Sequence, residues 1–426
     1  MSQRVIVVGG GVAGLAAAGR AAELGADVVV LEKGARLGRK LLLTGNGHCN
    51  LTNNCPPVEF IKHLGPTGAF MRNALARFGA EALCNFMHHL GVPTIINPDG
   101  RVFPASLSSR DVLAALVNYN LRYGVRFAYN CAVEALDVRD GAVLGAITRA
   151  ESCGYPAEAV ILATGGKSWA QTGSSGDGYS MLESLGHRIV KPLPGLVPLV
   201  VAEGWIRSME GVALPLVRIT AMSDKQRLAR CEGEILFTSD GLSGPAVLNL
   251  SSRITNEIAQ GPVQLIIDLF PQVTADALEA QLSTEILAAG SAEMATILQS
   301  HLPRRLAQVI ISLASHTELA GNTNAQDGLH FPAKQVTSKQ RRYLVELCKR
   351  LPLTVLATRP FNEAMVTVGG VSCDEVDPLT FASKRIKGLY VAGELLDVAG
   401  DSGGYNLQVA FTSGRLAGEG AIRKNG

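Results

Sequence analysis

The segment from Arg4 to Glu32, RVIVVGGGVAGLAAAGRAAELGADVVVLE, constrains the fold of this chain more than any other. β-Branched residues crowd both of its ends, an alanine-rich stretch lies between, and Gly9-x-Gly11-x-x-Gly14 falls where the first strand must turn into a helix. The spacing predicts a complete βαβ unit. Gly9 permits the tight turn, Gly11 lets backbone approach a pyrophosphate, and Gly14 allows the helix to pack closely on the sheet, while the helix N-terminus supplies oriented N–H donors. Glu32, at the end of the second strand, is placed to accept hydrogen bonds from a ribose diol. A carboxylate there repels a 2′-phosphate, so the expected tightly bound cofactor is FAD or NAD rather than NADP. Lys33, Arg39 and Lys40 follow directly, either offsetting pyrophosphate charge or forming a solvated basic loop.

Two further apolar strands end at glycines: Ala159 to Ala163, followed by Thr164-Gly165-Gly166, and Gly388 to Ala392, followed by Gly393-Glu394. Both read as buried parallel strands. Between them the character changes. Residues about 191 to 270 carry short strand-like pieces, LVPLVV and VQLIIDL, among prolines that include Pro245 and Pro262, which favours an antiparallel sheet or small barrel. From Ala275 to about Leu351 the pattern is helical, in ADALEAQLSTEILAAG, ATILQSHLPRRLAQVIISLAS and SKQRRYLVELCKRL, with turn-prone AGNTNAQDG at 320–328. The expected fold is α/β: a discontinuous Rossmann-like dinucleotide-binding domain, 1–190 plus 360–426, hosting a β-rich, barrel-like insertion at 191–273 and about 352–360 and a helical subdomain at 274–351.

Composition agrees with a chain of this kind. At 426 residues, 47% hydrophobic and 18% charged, it has the material for large cores. Thirty-nine basic against 37 acidic residues leave a net charge of +2, too balanced for the broad basic footprint of a dedicated nucleic-acid binder. The eight cysteines form no C-x-x-C pair and no zinc-site spacing, so neither a metal site nor a disulfide-reductase motif is expected. Arg4 and the apolar stretch behind it imitate a signal peptide, but the glycine spacing argues otherwise. No apolar run reaches the roughly 18 residues of a membrane span. A cytoplasmic, soluble protein is expected, with no obligate protein partner evident and no oligomeric state legible.

Residues 388–420, GLYVAGELLDVAGDSGGYNLQVAFTSGRLAGEG, bring a second helix terminus into the picture. After the Gly393-Glu394 stop, a loop leads through Gly403-Gly404 into a helix on which Ala410, Gly414, Ala417 and Gly418 line one face, allowing close backbone approach. Such a terminus suits the ribityl and ring portions of FAD, with Asp397 and Asn406 as hydrogen-bonding partners or as ordinary loop caps.

At this point several long motifs resemble one family. They are GRKLLLTGNGHCNLTN (38–53), ATGGKSWAQTGSSGDGY (163–179), GEILFTSDGLSGPAVLNLS (233–251), VTVGGV (366–371) and GLYVAGELLDVAGDSGGYNLQ (388–408). Together they are similar to BaiN/RdsA-type flavoproteins, NAD(P)/FAD-dependent oxidoreductases of which some are labelled aminoacetone oxidases. The resemblance implies an FAD domain interrupted by β-rich and helical domains. It implies FAD contacts from Gly9, Gly11, Val12, Ala13, Gly14, Glu32, Lys33, Arg39, Lys40, Gly45, Asn46 and Val133. Further contacts are implied for Ala163, Thr164, Gly165, Gly393, Glu394, Asp397, Gly404, Asn406, Leu407 and Gln408. His48 stands where the family commonly has Arg, and imidazole cannot make the guanidinium's bidentate fork.

The implied chemistry is hydride transfer from reduced flavin N5 to an activated C=C bond, in an enone or bile-acid-like molecule or in a uridine of rRNA, giving dihydrouridine, with NAD(P)H as transient reductant. Cys49, beside His48 in the TGNGHCN loop, and Tyr405 are the candidate proton donors; a packed buried thiol and a stacked ring are the bland alternatives. Trp169 is either a stacking partner or core. Two rival functions stand: an oxidase of an amine such as aminoacetone releasing H2O2, and an RNA-binding or ribosome-associated factor with a structural flavin. The basic residues of HLPRRL (301–306) and SKQRRYLVELCKRL (338–351), with Tyr343, either face RNA phosphates or form ordinary solvated helix faces.

Overall fold

A computed structural model describes residues 2–148, 154–223, 226–290, 292–315 and 332–422. Cys153 and the turn-prone 320–328 segment lie outside the described residues. The chain divides into two compact units, Met1–Gly195 with Pro360–Gly426, and Leu196–Arg359.

In the first unit β1 (Arg4–Val8) leads through the glycine turn into α1 (Val12–Glu23) and back into β2 (Asp27–Leu31). These strands lie in a five-stranded parallel sheet whose order is 389–391, 159–162, 4–8, 27–31, 126–128. Val5 to Val8 are nearly solvent-free, as are Val160 to Leu162, because helices or other chain cover both faces. At about 1.5–3 kcal/mol per fully buried Val, Leu or Ile side chain, this strip is a main source of the unit's stability. The edge strand Arg126–Ala128 is only three residues long, too short to give a periodicity signal. The C-terminal helix, Tyr405–Ile422, crosses α1 at its small residues: a Cβ on Gly414 would lie 2.2 Å from the Ala13 carbonyl oxygen, and one on Gly418 2.4 Å from that of Ala17. The small-residue face thus does what its pattern requires, bringing two backbones into contact.

Residues 191–195, read from sequence with the β-rich insertion, belong instead to strand Ile189–Gly195, which pairs antiparallel with Val366–Val371 in the first unit. The second unit is built on a closed six-stranded antiparallel barrel, in the order 199–201, 241–243, 226–237, 213–223, 263–268, 351–358. Its region also contains a 14-residue helix, Pro245–Ile258, that the strand-like reading missed. Pro245 counted as a strand-region breaker, yet it occupies the first helical turn, where its missing N–H has no intrahelical partner to lose. Helices Ala275–Ala288, Met294–Gln299, Arg304–Ser315 and Ser338–Lys349 pack into the same apolar core as the barrel. The single helical run read across 295–315 is broken at Pro303, which cannot donate in a helix interior. Among the described residues, no helix is long and apolar enough to cross a membrane.

Candidate functional site

The turn between β1 and α1 is shaped by missing side chains. Gly9 has φ +104°, and a Cβ there would sit 2.5 Å from the Ala163 carbonyl oxygen; a Cβ on Gly14 would lie 1.9 Å from that of Gly9. Gly11 differs, because nothing lies within 4 Å of where its Cβ would point. Space is open in front of the first turn of α1. Gly11 caps that helix without a side-chain hydrogen bond, and no acidic residue occupies the first turn, so the N–H groups around Val12 and Ala13 and the positive end of the dipole favour an anion. Glu32 fixes the turn from below: Oε2 accepts from the Gly10 N–H at 2.8 Å and Oε1 from the Gly34 N–H at 2.7 Å. Each oxygen keeps lone-pair capacity for a diol.

Across from this turn, Ala163 is buried, Gly165 has φ +76°, and the buried Thr164 Oγ1 has no hydrogen-bond partner. Val133 is buried at the start of strand Val133–Arg139. The basic residues that follow Glu32 are held by protein acceptors. Lys33 bonds the Ser175 hydroxyl and pairs with Asp177 at 2.7 Å, and an Arg39 guanidinium nitrogen donates to the Gln171 carbonyl. Lys40 Nζ donates to Ser168 Oγ and to Glu394 Oε2, both at 2.6 Å. Glu394 is the hub of this network, since its Oε1 also accepts from Ser168 Oγ at 2.7 Å and the Thr367 N–H at 2.8 Å. Ser168 and Thr367 were missed from sequence. Their only signal was membership of the ATGGKS and VTVGG motifs.

The TGNGHCN loop is the most unusual backbone in the unit. Gly45, Asn46, Gly47 and Cys49 have φ of 55°, 54°, 90° and 62°, and Cys49 is a poor residue for the left-handed region. Trp169, in the ATGGKSW motif, is also left-handed at φ 57°. Strain of this kind concentrates at functional sites. His48 is exposed, whereas Cys49 is solvent-free within an apolar cluster that includes Leu41, Leu51 and Phe411. Burial pushes the Cys49 thiol up to about 12, although a hydrogen bond with Thr44 opposes this. Two buried acceptors in the same stretch, Asn50 Oδ1 and Thr52 Oγ1, have no hydrogen-bond partner.

The second helix terminus packs directly on that stretch. Gly404 has φ +100°, and a Cβ there would lie 2.4 Å from the Thr52 carbonyl oxygen. Gly393, at φ +74°, donates its N–H to Ser413 Oγ at 2.9 Å. Asn406 caps the loop before it, with Oδ1 accepting from the Gly400 N–H at 2.8 Å and Nδ2 donating to the Gly400 carbonyl at 2.9 Å. Gln408 is solvent-free and donates to the Phe78 carbonyl at 3.0 Å; Leu407 packs at the edge of the apolar cluster around Cys49. Asp397 is half-buried, and burial raises its carboxyl above the usual range against a hydrogen bond from the Gly369 N–H. Tyr405 is buried, its ring stacked on His63 at 4.5 Å and edge-on to Phe60 at 4.8 Å. Burial raises its phenol well above the ordinary value, and its hydroxyl bonds Cys55. His63 Nδ1 lies 2.8 Å from Asp401 Oδ2. That pair is 338 positions apart in sequence, and no local pattern could join it.

In the second unit most basic residues singled out in the helices have protein partners. Arg305 donates to the Ser208 and Glu210 carbonyls, Arg341 and Arg342 meet Glu279, and Lys349 pairs with Asp268 at 2.8 Å. Among the described residues, no group of three or more His, Cys, Asp or Glu is arranged to hold a metal ion.

The family model of the HI0933-like protein Rossmann domain matches residues 3–420. The chain belongs to this family. It is 34% identical over 424 residues to the 3-dehydro-bile acid delta(4,6)-reductase of Clostridium scindens, covering 99% of both chains. It is 29% identical over 412 residues to the ribosomal RNA dihydrouridine synthase of Haemophilus influenzae, covering 96% of both. Among solved structures it is similar in fold to the 3-ketosteroid-delta4-(5alpha)-dehydrogenase of Rhodococcus jostii RHA1, at 18% identity and a TM-score of 0.53, covering 99% of this chain and 97% of that one. As a member of this HI0933-like family, the chain is an oxidoreductase.

Proposed function

We propose that this protein is an FAD-dependent reductase that adds hydrogen across an activated carbon–carbon double bond, with NAD(P)H restoring the reduced flavin. The observation that carries the reading is the pair of full-length relatives: their names differ in substrate, a bile acid derivative against rRNA, and share one transformation, the saturation of a C=C bond.

The residues present fit FAD. The open space before Gly11 and the uncapped N–H groups of α1 suit a pyrophosphate, and Glu32 suits a ribose. The unpartnered buried oxygens of Thr164, Asn50 and Thr52 are hydrogen-bonding groups that a polar cofactor edge would satisfy; left alone, each costs about 1–3 kcal/mol. When bound, FAD supplies the hydride. The chain's own part is to bind, to orient and to move a proton. Gly9 and Gly14 hold the turn, Glu32 locks it through Gly10 and Gly34, and Glu394 ties Lys40, Ser168 and Thr367 into one rigid wall. The left-handed residues Gly45, Asn46 and Gly47 turn the chain sharply, and the His48 and Cys49 N–H groups bond back to the Gly45 and Thr44 carbonyls, so this loop is held in one shape beside the buried Cys49.

Anaerobic photoreduction of the purified protein tests the reading, followed by addition of rRNA lacking dihydrouridine, a 4,6-dien-3-oxosteroid, or NADH and NADPH to the oxidised form. Alkene-dependent reoxidation with a saturated product is expected, as is bleaching by a nicotinamide. Peroxide release with aminoacetone and no alkene turnover would replace this reading with an oxidase.

A further inference from the structure

We propose that His63, oriented by Asp401, is the residue that delivers the proton in the reduction, so that neither cysteine nor tyrosine of the site serves as the acid. The inference rests on the reductase reading above and adds to it the identity of the proton donor. Three groups compete for the role in the part of the first unit where the TGNGHCN stretch meets the loop before the C-terminal helix. Cys49 is solvent-free, and burial drives its thiol too high to release a proton readily at neutral pH. Tyr405 is buried with its hydroxyl engaged by Cys55.

His63 has the construction of a proton carrier. Asp401 Oδ2 lies 2.8 Å from Nδ1, and a carboxylate only accepts, so Nδ1 bears the hydrogen and Nε2 is the nitrogen that takes up and releases the second proton. Asp401 is itself buried, and its backbone N–H donates to the His63 carbonyl at 2.8 Å, so loop and imidazole are fixed to each other twice. The Tyr405 ring stacks on the imidazole at an interplanar angle of 20° and sets its plane. Nε2 makes no hydrogen bond to a described residue. A carboxylate oxygen of the half-exposed Glu59 lies 3.9 Å from Nε2, a route by which a proton returns from water. The cluster adjoins the strained stretch: Gly404, next to Tyr405, packs on the Thr52 backbone, and Gly403 lies against the Tyr405 ring.

With the hydride (two electrons and one hydrogen) supplied by reduced FAD when bound, a C–H bond would form at the electron-poor carbon. The π pair moves onto the neighbouring carbon and its carbonyl. That carbon takes the proton from His63 Nε2 as its own C–H bond forms, and the neutral imidazole is reprotonated from solvent. A positioned general acid contributes on the order of 10²–10⁴-fold. His63 is the catalytic residue and Asp401 a positioning residue.

Two measurements decide the matter. In the first, holoprotein and flavin-stripped protein are treated with diethyl pyrocarbonate and His63 carbethoxylation is read by peptide mass spectrometry, with His89 as internal control. At least threefold protection of His63 by FAD, with His89 unchanged, is expected; equal modification in both forms overturns the proposal. In the second, reoxidation of photoreduced protein by whichever alkene acts on the wild type is compared across variants of equal FAD content. His63→Ala should fall about 100-fold and regain at least tenfold with added imidazole, while Asp401→Asn falls about tenfold and Asp401→Glu recovers most of that loss. Wild-type rates in His63→Ala would overturn the proposal while leaving the reductase reading intact. If no alkene reoxidises the wild type, the reductase reading fails, and with it this proposal.

Discussion

The two ends of the proposed cofactor site are built by opposite means. Around Gly9, Gly11 and Gly14 the site is made of absences: side chains that would collide are missing, and the donors are backbone N–H groups. Around 397–408 it is made of side chains that reach for partners, with Asn406 on the Gly400 backbone, Gln408 on the Phe78 carbonyl and Asp401 on the His63 ring. The difference teaches where sequence spacing is informative. A turn fixed by steric exclusion is written in three neighbouring glycines, whereas a network closed across hundreds of residues is written nowhere locally.

That contrast breaks most easily at the first turn. Gly14→Val forces a Cβ into a carbonyl oxygen 1.9 Å away and should leave no soluble folded protein, while Gly11→Val, with open space at the site, should fold with an unchanged far-UV spectrum yet lose FAD at least 100-fold in affinity. A yellow Gly11→Val protein with wild-type affinity would remove the pyrophosphate from that position. Next in size, Gly414→Val should cost about 3 kcal/mol by wedging the C-terminal helix from α1, read as a lower urea midpoint at constant m-value. At the second end smaller effects are expected: Cys49→Ala and Tyr405→Phe should both keep flavin and hold turnover within about tenfold, and a loss beyond 100-fold in either would restore it as the acid.

The smallest effect concerns Lys33. Burial alone would raise the Asp177 carboxyl, but hydrogen bonds from Lys33 and Ser175 hold it below the usual carboxylate range. Its contribution to stability is therefore present above pH ~4 and is lost as pH falls through the lowered folded value. Asp177→Asn should flatten the acid limb of a stability–pH profile slightly, because the pair is half-exposed. An unchanged limb would show Lys33 to be free of Asp177 in solution.

Much of the architecture was legible. The βαβ unit, the strands at 159–162 and 389–391, and the small-residue face of the last helix follow from burial on both sheet faces and from close backbone approach, both of which leave direct traces in residue type. Helix 245–258 was lost because Pro reads alike as a strand breaker and as a first helical residue. Strand 126–128 was lost because three residues carry no period. The glycine turn and the position of Glu32 at the end of β2 were legible by spacing, and the His63–Asp401 contact was not, since only the folded chain brings the two together.

The central sheet also has a timetable. Strand 159–162 pairs with β1 on one side and with 389–391 on the other, so during synthesis one of its edges waits bare while more than 200 further residues are made. An apolar edge left open that long is a template for wrong partners. Protection of that edge until residues 389–391 arrive is thus a demand the strand order places on folding during synthesis, separate from the contacts that hold the finished sheet.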